Sequence, residues 1–238
     1  MTNVLLNINN FGDEFAYRHL KNIIKCRYNV LIIPFSYHED YIHNSDDFNT
    51  HFSKTSPEMR EIVNEFWKYG IRSKQIRILN YYEDTPEIVH NKFKRANVLF
   101  FTGGYPEQLL MRIDNMNIRE RIRNFRGVVM GTSAGAMAQL DKFHITPENV
   151  DDEYEYCEDG LGLLSGFDIE VHYENNFLHL SGMITDLQLH GTAIYAMPNN
   201  GGLVIRNRKI KSIGRTFKVT RDDIDGLQAV LDEIIKNG

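Results

Sequence analysis

Five short β-like runs, spaced by amphipathic stretches, constrain this chain more than any other feature. They cover residues 4–8, 29–35, 75–79, 98–101 and 128–130. Runs such as Val30-Leu31-Ile32-Ile33 and Val98-Leu99-Phe100-Phe101 lack polar alternation, so both of their faces need burial. That requirement suits a parallel sheet covered by helices on each side. The spacers supply the helices. A helical pattern covers about 13–26, and Ser56-Pro57-Glu58 opens another with an N-cap serine and a first-turn proline, running to Tyr69-Gly70. Thr85-Pro86-Glu87 opens a third, and one or two more fill 106–125. The expected architecture is α/β, a doubly wound, mostly parallel sheet with helices on both faces. Beyond residue 138 the pattern changes to shorter strands at 167–173, 193–197, 202–206 and 209–213, the last two joined as a hairpin by Asn207-Arg208. A helix at about 221–236 ends the chain. These read as a short antiparallel C-terminal extension of a single domain spanning 1–238, because no repeat, low-complexity segment or linker divides the chain.

Composition excludes several function classes. A formal charge of −5 argues against a nucleic-acid partner, and the basic stretch 112–126 alternates with apolar and acidic residues as a solvated helix face does. No apolar run approaches bilayer length, and Met1-Thr2-Asn3-Val4 lacks the basic start of a signal peptide. Two cysteines, Cys26 and Cys157, indicate no disulfide framework, so the expected location is the cytoplasm. Cys157 lies among Glu155, Glu158 and Asp159, whose field disfavours the thiolate and makes it a poor nucleophile.

Chemistry concentrates at Gly131-Thr132-Ser133-Ala134-Gly135-Ala136, directly after the fifth β-like run. Gly-x-Ser-x-Gly between a strand and small residues has the pattern of a nucleophile elbow, a sharp strand-to-helix turn that exposes the serine hydroxyl. The glycines suit a turn where neighbouring backbone leaves no room for a side chain. The N–H groups after Ser133 are then aimed at an incoming oxyanion. The competing reading is an ordinary connection whose serine caps the helix. Thr102-Gly103-Gly104-Tyr105-Pro106 forms a second glycine site after a buried strand, with free N–H groups able to stabilise negative charge.

A serine hydroxyl needs a base, and nine histidines compete for that role. His19, His90 and His144 have no argued link to the serine. His38, His43 and His51 share a polar segment with Glu39, Asp40, Asp46 and Asp47, spaced unlike any standard metal site. This segment is expected to be a solvated loop, able to act as a lid. His172 is the base candidate, since it sits near the end of the 167–173 strand, where parallel sheets place functional groups.

Phe101-Thr102-Gly103-Gly104, Gly131-Thr132-Ser133-Ala134-Gly135-Ala136, and Gly160-Leu161-Gly162-Leu163-Leu164 leading to Val171-His172-Tyr173 together resemble the peptidase S51 family. That family contains peptidase E, the aspartyl dipeptidase, and cyanophycinase. The resemblance implies a fold like the class I glutamine amidotransferases, with serine replacing their cysteine. It implies hydrolysis of small aspartyl peptides without metal or organic cofactor. By position it makes Ser133 the nucleophile, His172 the general base, and the N–H groups of Gly104 and Ala134 the oxyanion hole. The family's third triad member is an acid shortly after a proline, and here Met197-Pro198-Asn199-Asn200 puts Asn199 in that place. Asparagine can accept the histidine Nδ1–H but cannot offset an imidazolium charge. Asn199-Asn200-Gly201 also reads as a plain turn. A further acid meets the substrate in the family, and Glu148 fits it best by distance from Ser133, within an acidic run that also reads as a solvated loop.

The leading expectation is thus a cytoplasmic serine peptidase cleaving small Asp-X peptides, with a small peptide as its partner. A homodimer is compatible with the sequence. One rival is a cyanophycinase-like hydrolase of β-aspartyl or branched peptides. Another is a catalytically degenerate member that binds a small acidic ligand, to which Asn199 points. An α/β-hydrolase esterase fits less well, because its histidine would follow the acid near the C-terminus, where none occurs beyond His190.

Overall fold

The computed structural model describes residues 1–147, 149 and 154–237. The five β-like runs become β1 (Thr2–Leu6), β2 (Val30–Ile33), β3 (Ile76–Ile78), β4 (Val98–Phe101) and β5 (Val128–Thr132). They lie side by side in the order β1-β5-β4-β2-β3, every neighbouring pair parallel. Every residue of β2, β4 and β5 is buried, as expected of strands covered on both faces.

Helices α1 (Glu14–Leu20), α2 (Ser45–His51), α3 (Pro57–Lys68), α4 (Pro86–Arg95), α5 (Pro106–Asn115) and α6 (Arg119–Arg123) form before or between these strands. The predicted caps are present: Ser56 Oγ accepts from the Met59 N–H at 3.3 Å, and Thr85 Oγ1 from the Ile88 N–H at 3.4 Å. Helix α3 buries Met59, Ile62, Val63 and Phe66 along one face. The expected helix over 13–26 is shorter, because α1 stops at Leu20 and turns lead on to β2.

The segment 38–52 also departs from expectation. It contains α2 and buries Ile42, Phe48 and Phe52, with the Phe48 and Phe52 rings 4.9 Å apart and tilted. The aromatic residues between its polar ones anchor it to the core.

Beyond β5 come α7 (Ala134–Met137), β6 (Phe143–Ile145), β7 (Glu155–Cys157), β8 (Asp168–Glu170), α8 (Phe177–Leu189), β9 (Ile194–Ala196), β10 (Gly201–Arg206), β11 (Lys209–Gly214), β12 (Phe217–Val219) and α9 (Ile224–Asn237). The hairpin β10–β11 extends the main sheet antiparallel from β1, so the predicted extension is partly its edge. Asn207 and Arg208 both have positive φ, 51° and 61°, as a two-residue hairpin turn with the strand twist requires. Strands β8, β9 and β12 form a separate sheet, and α8 and α9 bury Leu180, Met183, Leu187 and Leu231 in a satellite cluster. No helix among the described residues is long and apolar enough to cross a membrane.

Candidate active site

The sharp turn after β5 fits its sequence. Ser133 adopts φ 49°, ψ −118°, a sparsely populated conformation for a non-glycine residue. The surrounding structure holds it there: the Ser133 N–H donates to the Leu6 carbonyl at 2.9 Å, and α7 starts at the next residue. Glycine is required on both sides. A Cβ on Gly131 would sit 2.0 Å from the Gly135 carbonyl oxygen, and one on Gly135 would sit 2.5 Å from that of Phe101. Gly135→Ala is therefore expected to cost about 3 kcal/mol through overpacking. A thermal melt should show this as a fall in Tm of roughly 6–12 °C.

The second glycine site abuts the first. A Cβ on Gly103 would lie 3.3 Å from Ser133 Cβ. Gly104 has φ 133°, and a Cβ there would meet the Ser36 carbonyl oxygen at 2.2 Å, so only glycine fits. Buried Ser36 fastens this loop: its Oγ lies 2.8 Å from Thr102 Oγ1, and its carbonyl accepts from the Tyr105 N–H at 2.7 Å. The N–H groups of Gly104 and Ala134 have no hydrogen-bond acceptor among the described residues.

His172 lies across from the serine, its Nε2 2.9 Å from Ser133 Oγ. The expected 167–173 strand stops at Glu170, because His172 has φ 55° and cannot continue an extended ladder. Buried Asn7, just past β1, accepts the His172 backbone N–H at Oδ1, 2.6 Å away. Asn7 Nδ2 in turn donates to Asn199 Oδ1 at 3.0 Å. The Asn199 oxygen expected on His172 Nδ1 thus engages Asn7 instead, and reaches the histidine only through its backbone. Among the described residues, His172 Nδ1 has no hydrogen-bond partner. Glu148, the expected substrate contact, lies outside the described residues.

Sequence reasoning missed Asn7, Ser36 and a buried network behind His172. Asn7 and Ser36 follow the C-terminal ends of parallel strands, the edge where such sheets gather functional groups, and that position was the available signal. In the network, Glu170 accepts from Thr146 Oγ1 at 2.8 Å and pairs with His144 Nε2 and His179 Nδ1. His144 Nδ1 meets Asp168 Oδ2 at 2.9 Å. Burial alone would depress the His144 pKa, but the charges of Asp168 and Glu170 outweigh it and raise the imidazole well above its ordinary value. Burial likewise disfavours ionised Glu170, yet the two histidines hold its carboxyl below the ordinary value. His144, Asp168 and Asp186 present ligand-type atoms within 4.8 Å of one another, but His144 and Asp168 are hydrogen-bonded to each other. Burial, more than the charge of nearby Asp159, raises the Cys157 thiol, so the expected direction holds but its main cause is desolvation.

A cavity of about 730 Å³ opens over the serine, walled by the segments after β1, β2, β4 and β5 and by α3. His38 and His51 line it, so the segment expected to be a solvated loop is one wall of the site.

Two solved structures share this architecture. One, assigned as a peptidase E from Listeria monocytogenes EGD-e, has 15% sequence identity and a TM-score of 0.61, covering 89% of this chain and 96% of its own. The other, a peptidase from an acI-B1 Actinobacterium, has 16% identity and a TM-score of 0.57, covering 92% and 93%. No curated protein matches the sequence. At such identities the structural likeness establishes the fold alone, and the sequence carries the assignment further. Residues 19–213 match Peptidase family S51, a span from α1 to β11 that takes in both glycine turns and His172, and the chain belongs to that family of peptidases.

Proposed function

We propose that this peptidase is of the serine type and cleaves small peptides, with Ser133 as nucleophile and His172 as general base. The contact of 2.9 Å between His172 Nε2 and Ser133 Oγ carries this reading. Ser133 Oγ attacks the scissile carbonyl carbon while Nε2 takes the hydroxyl proton. The oxyanion of the tetrahedral intermediate accepts from the N–H groups of Gly104 and Ala134, which have no acceptor of their own among the described residues. His172 then returns the proton to the leaving amine, and the C–N bond breaks to leave an acyl-serine. A water molecule, deprotonated by His172, attacks the ester and restores the hydroxyl. Asn199 acts as a positioning residue through Asn7, which anchors the backbone of His172. Glu148 keeps its expected role as a substrate contact.

The aspartyl preference implied by the resemblance is the finer part of this reading. An aspartyl side chain, α- or β-linked, needs a cation beside it, and among the described residues the cavity lining offers only histidines for that purpose.

A second reading, a degenerate member that binds without cleaving, draws on one observation: no carboxylate among the described residues reaches His172 Nδ1. Fluorophosphonate labelling separates the two, since it requires an activated hydroxyl and no knowledge of substrate. Wild type is expected to label and Ser133→Ala to stay unlabelled. Failure of both folded proteins to react, with a small sulfonyl fluoride failing as well, would sink the serine assignment and leave the binding protein.

A further inference from the structure

We propose that Ser36 is a positioning residue for the reaction: its hydroxyl holds the Gly103–Gly104 peptide so that the Gly104 N–H faces the oxyanion. This rests on the reading of Ser133 as nucleophile and Gly104 as an oxyanion donor, and it names what keeps that donor in place.

The Gly104 N–H and the Gly103 carbonyl belong to one peptide unit. No described peptide bond is cis, so the two groups point in opposite directions across its plane. Whatever fixes the carbonyl therefore fixes the N–H. Ser36 Oγ lies 2.5 Å from the Gly103 carbonyl oxygen, 2.8 Å from Thr102 Oγ1 and 3.1 Å from the Thr102 carbonyl oxygen. A hydroxyl carries one proton, and a carbonyl can only accept. The Ser36 proton thus goes to the nearer carbonyl, that of Gly103, and the Thr102 hydroxyl donates to Ser36 Oγ. Bonds run in series from Thr102 through Ser36 to the Gly103 oxygen, and the peptide carries their effect to the Gly104 N–H. Each link polarises the next, which strengthens that N–H as a donor.

The backbone by itself does not favour this orientation. Gly104 has φ 133°, in the range that favours glycine. Turning the peptide over would return that φ to the negative range open to any residue. Glycine stands on both sides of the unit, so no side chain blocks the turn. A contact from elsewhere has to oppose it, and the Ser36 hydroxyl supplies one. Ser36 is itself held firmly. It is 1% exposed, and its carbonyl accepts from the Tyr105 N–H at 2.7 Å. On either side of it, the Phe35 and Tyr37 carbonyls each accept from Arg112 Nη1 at 2.7 Å. The Arg112 guanidinium, on a residue 3% exposed, also stacks 3.6 Å from the Tyr37 ring centroid. Arg112 lies on α5, which begins at Pro106, directly after the glycine turn. The turn, the helix that follows it and the segment after β2 thereby close a ring of contacts around Gly104.

Two quantities test this in wild type and Ser36→Ala: the rate of labelling by a fluorophosphonate, and the NMR signal of the Gly104 amide in glycine-labelled protein. In wild type the Gly104 proton should move downfield once the phosphonyl oxygen accepts from it. In Ser36→Ala the labelling rate is expected to fall about 10- to 100-fold, up to the loss caused by removing an oxyanion donor outright. The downfield movement should vanish, while the pH midpoint of labelling stays that of wild type, because His172 is untouched. A merely structural role would lower Tm and leave the response of the Gly104 amide as it is in wild type. That unchanged response, or labelling within threefold of wild type, would overturn the proposal. If the alanine variant does not fold, Ser36→Cys carries the same test, since a thiol keeps the bulk but donates weakly. Slower labelling and a smaller Gly104 response are then expected, and wild-type values for both would overturn the proposal. Failure of the serine reading shows separately, as a wild type that does not label. Crystal structures of wild type and variant then decide: a Gly103 carbonyl that turns over without the Ser36 hydroxyl supports the assignment, and one that stays in place overturns it.

Discussion

Replacing Ser133 by alanine is expected to lower kcat by about 10⁴-fold or more on any peptide the wild type cleaves. The fold should survive the change. Ser133 is only half-buried, and among the described residues its side chain hydrogen-bonds to His172 alone. The unusual backbone conformation is held by the bond from its N–H to Leu6 and by the glycines on either side, none of which the substitution touches. Alanine and serine meet similar steric resistance at φ 49°, so Tm should move by no more than about 2 °C, the scale of a sub-kcal/mol change in a chain of this size. Steady-state kinetics beside a thermal melt checks both halves. A variant retaining activity within tenfold of wild type would remove Ser133 from the mechanism.

Glu170→Gln is expected to give the largest loss of stability, about 3–5 kcal/mol, because it deprives two histidines of a shared buried counter-charge. Glu170 is 2% exposed and His144 1%, so water cannot replace the lost partner. For a chain of this size the change corresponds to a fall in Tm on the order of 10 °C. Activity should fall too, since His172 lies two residues beyond Glu170 on the same segment.

The pH dependence of the loss is also specified. The Glu170 carboxyl is held low in the folded protein, so its contribution is present above the ordinary carboxylate pKa and disappears as pH falls through the lowered folded value. The His144 imidazole is held high, so its contribution is complete below the ordinary imidazole pKa and disappears as pH rises through the raised folded value. The gap in Tm between wild type and variant should accordingly be widest between about pH 4.5 and 6.5 and narrow on both sides. Melting curves from pH 3 to 9 would show it, and a gap independent of pH would mean that the network is held by packing rather than by charge.

The fate of particular residues shows what could be read in advance. The five parallel strands and the caps at Ser56 and Thr85 follow from local rules, namely unbroken apolar runs and side-chain oxygens that satisfy helix N–H groups. The turn at Ser133 was legible for the same reason, because its glycines answer to backbone atoms within a few residues or on the adjacent strand. Residues 38–52 were misread since the alternation of acids and histidines hid Phe48 and Phe52, whose burial depends on Tyr37 and Tyr82 lying beside them in space. His144 offered no signal at all. Its partners Asp168 and Glu170 are 24 and 26 residues away, and only the packing of β6 near β8 brings them together.

The sequence by itself determined the parallel α/β layout and the exposed serine, because both rest on interactions short in sequence or repeated along it. The tertiary structure alone decided that Asn199 serves Asn7 rather than the imidazole ring, that Ser36 fastens the second glycine turn, and that the wall opposite the serine is acidic and aromatic. Each of these depends on groups brought together from distant parts of the chain, and a side chain's charge and spacing in sequence carry no record of which strand end it will meet.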